Sequence, residues 1–129
     1  MRPRPLLLSL VLMAVTMIAG LLIRFVHLHL PPAVVKYTGS ILWALMIYWI
    51  ISTLLPAARL SAVALLAVVV TAAVELFKLH HSPAIDAFRL TLPGILLLGR
   101  FFSVWDMLAY WLAIIAGVFL DMRIRSSPL

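Results

Sequence analysis

LLLSLVLMAVTMIAGLLI, residues 6–23, is the stretch whose reading decides the fold. Only Ser9, Thr16 and Gly20 interrupt its apolar side chains. A helix of that length rises about 27 Å, close to the hydrocarbon thickness of a bilayer. Arg2 and Arg4 precede it, and a basic start before leucines also fits a secretory signal peptide. The run is longer than a typical signal core, however. It reaches Arg24 with no small-x-small cleavage site, so it reads as a membrane span.

The rest of the chain agrees. Hydrophobic residues make up 66% of the 129 residues and charged residues 11%, against about 45–50% and 25% in soluble proteins. A water-soluble domain this small leaves too much surface exposed to hide that much apolar area. Pro31 and Pro32 close the connection after helix one. Helix two is expected over 34–55, with Lys36, Tyr37, Thr38, Gly39 and Ser40 in its first turns. Pro56 to Arg59 reads as a tight turn, and helix three covers about 60–79. Helix four runs over about 103–120, and Asp121, Arg123 and Arg125 read as a polar tail.

Between helices three and four the pattern breaks. His80, His81, Pro83, Asp86, Arg89, Pro93, Gly94, Gly99 and Arg100 crowd this stretch. Its apolar piece, 90–98, is too short to span. The segment 83–100 therefore reads as interfacial or re-entrant. The expected fold is all-α: a single integral-membrane domain, a four-helix bundle with that short segment between helices three and four.

Four spans place the N-terminus, the Pro56 turn and the C-terminus on one side. Arg2, Arg4, Arg59, Arg123 and Arg125 lie there, and Arg24, Lys36, Lys78, Arg89 and Arg100 lie on the other. The count of basic residues is a tie. The short, plainly solvated basic ends, and the usual dominance of the first helix, favour a cytoplasmic N-terminus. The net charge of +6 asks for anionic partners. Its basic residues sit at segment ends rather than in one patch, which favours lipid phosphates over nucleic acid. Cysteine is absent, so there is no disulfide and no thiolate metal site.

The candidate functional residues gather opposite the termini. Glu75 sits one turn before the end of an otherwise apolar helix, where a carboxylate opposes the helix dipole and is costly unless paired or protonated. A structural pair with Lys78 is the plainer role. Asp106 follows Ser103 in a Ser-x-x-Asp pattern that suits the start of a helix. Asp86 and Arg89 are spaced to pair on a helix. Arg24, Lys36, Lys78, Arg89 and Arg100 could form an anionic head-group site or could each snorkel singly. His27 with His29 and His80 with His81 point apart on a helix, and no His-Glu-x-x-His motif joins them, so no metal and no cofactor is expected. Trp43, Tyr48 and Trp49 share their spacing with Trp105, Tyr110 and Trp111. Two hairpins in parallel repeat would produce this, as would belt preference at the bilayer interfaces.

Three ordered blocks, KYTGSILWALMIY (36–48), ELFKLHHSPAIDAFR (75–89) and LGRFFSVWDMLAY (98–110), resemble domain-of-unknown-function family 2809. The resemblance implies a small bacterial inner-membrane protein of four to five helices with no established activity. Family members commonly carry Gly-Asp where this chain has Gly39-Ser40, and often Gln where Lys78 stands. Glu75 followed by Asp106 is more distantly similar to the VanZ-like family, which is associated with glycopeptide resistance and the cell envelope. Two functional classes follow. One is a non-enzymatic protein binding an anionic lipid or envelope precursor through Arg89 and Arg100, with Glu75 orienting the basic residues; this class is preferred. The other is a small enzyme or transporter using Glu75 and Asp106, and a protomer this small would need to dimerise to transport.

Overall fold

The structure is a computed structural model that describes residues 4–25, 31–77, 83–91 and 104–126. It contains α1 (Leu6–Phe25), α2 (Pro32–Leu54), α3 (Leu60–Phe77), α4 (Pro83–Arg89) and α5 (Val104–Ser126). Pro32 opens α2, where its missing N–H and fixed φ suit a first helical turn. α2 ends at Leu54 because Pro56 disfavours a helical backbone at the residue before it. Leu55 accordingly leaves the helix at φ −123°, ψ 65°. A hydrogen bond from Ala58 N to Leu55 O, 3.2 Å, closes the turn into α3.

Four of these helices, α1, α2, α3 and α5, are long and apolar enough to cross a membrane. Their outer faces are greasy: Leu7 is 74% exposed, Leu65 64% and Leu112 65%. Apolar surface on this scale, all round the bundle, belongs against lipid rather than water. α4 is different. Its seven residues rise only about 10 Å, far short of a span. It stays within the expected interfacial segment, whose remainder, 92–100, lies outside the described residues.

α2 is central, packed against α1, α3 and α5, and α3 also packs on α5. α2 and α5 run parallel. Successive contacts descend together along both: Ser40 with Asp106, Trp43 with Tyr110, and Tyr48 with Asp121. Small residues let the backbones approach. α3 turns one stripe inward, Val63, Ala67, Thr71 and Glu75, at four-residue spacing. α5 answers with Ala109, Ala113 and Gly117. A Cβ built on Gly117 would lie 2.9 Å from Leu45 Cδ1 and 3.2 Å from Tyr48 Cδ1. The glycine is therefore needed for close approach.

α5 differs from the sequence expectation at its end. The helix continues through Asp121, Arg123 and Arg125 to Ser126, so the polar tail is part of the helix. Charged residues end a hydropathy pattern, but they do not end a helix that supplies them with partners.

Candidate functional site

Two buried polar tiers cross the bundle, one near each end. The first lies opposite the termini. Glu75, near the C-terminal end of α3, is fully buried. The Tyr110 hydroxyl donates to its Oε2 at 3.0 Å. Asp106, in the first turn of α5, is 4% exposed. The Ser40 hydroxyl of α2 lies 3.4 Å from its Oδ1 and also 3.1 Å from the Lys36 carbonyl. Asp106 and Tyr110 are four apart on α5, so their side chains share one face of the helix. Tyr110 thus stands between the two carboxylates. Its ring is wedged against Trp43, with centroids 5.3 Å apart and planes tilted by 48°. Ala44 and Ala113 complete the apolar wall around it.

A buried carboxylate costs several kcal/mol unless it is paired, hydrogen-bonded or protonated. The tyrosine hydroxyl supplies one donor to Glu75. Asp106 sits at a helix N-terminus, where the dipole favours negative charge. Ser103, the other half of the expected cap, lies outside the described residues.

Of the sequence candidates, the structure brings Glu75 and Asp106 into one neighbourhood. Lys36 is exposed on the first turns of α2, with its ammonium 5.6 Å from the Tyr37 ring. Asp86 and Arg89 lie on α4. Arg24 lies near the end of α1. The side chains of Arg24 and Arg89 are outside the description. Lys78, His80, His81 and Arg100 lie outside the described residues altogether, as do His27 and His29.

Reading the sequence missed the second tier, at the end that carries the termini. Asp121 is fully buried, and three partners converge on it. Arg4 Nη1 lies 2.8 Å from Oδ1, Arg125 Nε donates to the same oxygen at 2.9 Å, and the Tyr48 hydroxyl donates to Oδ2 at 2.9 Å. Arg4 also reaches Ser9 Oγ at 3.2 Å and Ser52 Oγ at 2.5 Å. Its guanidinium lies 4.9 Å from the centroid of the Trp49 ring, a cation–π contact. Arg125 Nη1 donates to the Pro56 carbonyl at 3.3 Å. The local signal for part of this was present: Asp121 and Arg125 are four apart, the spacing of a helical ion pair.

The tiers clarify the aromatic echo. Tyr48 and Tyr110 each donate to a buried carboxylate on another helix. They do so at different depths, because α2 and α5 are parallel and Tyr110 lies level with Trp43. A strict repeat would put the two tyrosines level, so the echo is chemical rather than positional.

The family model described as Protein of unknown function (DUF2809) matches residues 29–114. The match takes in Ser40, Glu75, Asp106 and Tyr110, and stops short of Asp121. No curated protein and no solved structure matches the chain.

Proposed function

Because this chain belongs to the DUF2809 family, whose description assigns no activity, we propose its function from the tier opposite the termini: recognition of a lipid or cell-envelope component at that end of the bundle. The observation that carries the reading is the meeting of buried Glu75 and Asp106 around Tyr110, in a chain whose basic residues Arg24, Lys36, Lys78, Arg89 and Arg100 fall in the adjoining segments. The carboxylates anchor and orient the basic side chains, and these contact the anionic part of the ligand. The membrane is the bacterial inner membrane, with both termini facing the cytoplasm. The distant likeness to the VanZ-like family is what brings envelope precursors into the ligand class.

The test is lipid retention by the purified protein. Arg89→Ala and Glu75→Gln are expected to lower retention of anionic lipid several-fold. Equal retention of anionic and zwitterionic lipid, unchanged by Arg89→Ala, would end the reading.

The burial of both carboxylates on the faces that meet at Tyr110 also supports a second reading, in which Glu75 and Asp106 act as a proton-exchanging pair in a small enzyme or transporter. A hydrophobic carbodiimide reacts with a protonated carboxyl in the bilayer. Labelling of Glu75, lost in Glu75→Gln, is the expected result, and an unlabelled protein counts against this reading.

A further inference from the structure

We propose that the tier at the terminal end is a second, separate site, built to take a phosphate-type anion. Charge is the starting point. Arg4 and Arg125 are both buried, at 8% and 7% exposure, and face the single carboxylate of Asp121. The chain has four acidic side chains. Glu75 and Asp106 belong to the far tier, and Asp86 lies on α4, in the connection that leaves α3 at its far end. No described acidic side chain remains to balance the second guanidinium. A buried excess cation is expensive, and an anion beside it relieves the cost.

Space and donors are also present. A cavity of about 160 Å³ opens between the start of α1 and the α2–α3 turn. Arg4, Ser9, Ser52, Thr53, Pro56 and Arg125 line it, with Leu6 at the rim. A void of roughly 150 Å³ takes a benzene-sized molecule, so a phosphate group fits and a whole lipid does not. Acyl chains would remain outside, against the exposed leucines of α1. The Ser52 and Thr53 hydroxyls donate to the Trp49 carbonyl at 3.0 and 2.7 Å; turned into the cavity, they join the two guanidiniums and Ser9 in matching the several oxygens of a phosphate. Arg4 Nη1 is buried at ion-pair distance from Asp121 but makes no hydrogen bond among the described residues. Asp121 holds both arginines in place while cancelling only one of them.

The ligand is a phosphate mono- or diester, supplied either by an anionic lipid headgroup or by a free anion. The full chain, delipidated in neutral detergent, is offered phosphatidylglycerol or phosphatidylcholine, and bound lipid is read by native mass spectrometry. In parallel its melting temperature is followed with inorganic phosphate against chloride at matched ionic strength. Phosphatidylglycerol is expected to be retained about fivefold over phosphatidylcholine, the weight of one net positive charge on an anionic headgroup. Arg125→Gln and Thr53→Val are expected to abolish most of that preference, while Arg123→Gln, at an exposed position on the same helix, keeps it. Stabilisation by phosphate without a lipid preference supports the site and identifies a free anion as the source. Thr53→Val together with Ser52→Ala carries the test if Arg125→Gln does not fold. Equal retention with no phosphate effect overturns the proposal. So does a preference that survives both folded variants, because the anion then binds elsewhere. Arg89 lies on α4 and not at this cavity, so stabilisation by inorganic phosphate is expected to persist in Arg89→Ala and to be lost in Arg125→Gln, which separates the outcome from that of the proposed function.

Discussion

The Tyr48 hydroxyl donates to Asp121 Oδ2 at 2.9 Å, tying α2 to α5 beside the close approach at Gly117. Asp121 is fully buried, so this bond and the two arginines together meet the needs of one carboxylate. Four measurable consequences follow from the two tiers and the faces around them.

Tyr48→Phe removes the hydroxyl and leaves Asp121 Oδ2 without its donor. Leaving a buried acceptor unsatisfied costs about 1–3 kcal/mol. The melting temperature in detergent should fall, while helix content by circular dichroism stays near that of the parent.

Asp121→Ala should be worse. It leaves two buried guanidiniums facing each other with no counter-ion, and breaking a buried pair from one side costs about 3–5 kcal/mol. Combining it with Arg4→Ala should recover part of the loss. A double-mutant cycle giving about 1 kcal/mol or more of coupling is the expected result, and strict additivity would show that the 2.8 Å pair contributes nothing.

Gly117→Ala places a Cβ 2.9 Å from the end of Leu45, which can turn aside, and 3.2 Å from the Tyr48 ring, which must give by a few tenths of an ångström, so its cost should be about 1–3 kcal/mol. Gly117→Val adds bulk toward the Tyr48 ring as well and should separate α2 from α5. The order of melting temperatures, glycine above alanine above valine, checks this.

The chain has no cysteine, so single cysteines report position cleanly. Cysteine at exposed Leu65 or Leu112, in the middle of apolar spans, should resist a water-soluble maleimide in intact membranes. Cysteine at Ala57, exposed in the α2–α3 turn, should react. It should do so from the same side as a tag placed after Ser126. Rapid labelling at Leu112 would contradict the span assigned to α5.

The spans were legible because lipid demands long uninterrupted apolar runs, and residues 6–23 state that demand locally. Glu75 was legible for the same reason, as a carboxylate where apolar side chains are the rule. Asp121 and Arg125 were not, because charge at the end of a hydropathy run reads as exit into water. Their burial depends on Arg4, which stands more than a hundred positions earlier and looks like an ordinary basic flank. Tyr110 suits an interfacial belt by its local sequence, since nothing there indicates that its hydroxyl meets Glu75 across α3 and α5. The family match carries the same asymmetry: its residues 29–114 include the far tier and omit both partners of the Arg4–Asp121 pair.

Arg4 precedes α1, and Asp121 lies in the last turns of α5. α1 otherwise packs on α2 alone among the described helices. This ion pair therefore joins the earliest and the latest of the described spans, and it cannot form until residue 121 has been synthesised. Before then Arg4 has its hydroxyl partners and the Trp49 ring but no carboxylate, and α1 is held by its packing on α2 alone. The pair thus closes the bundle across the longest sequence separation of any described ion pair, so a fragment that ends before Asp121 keeps a buried arginine without its counter-ion.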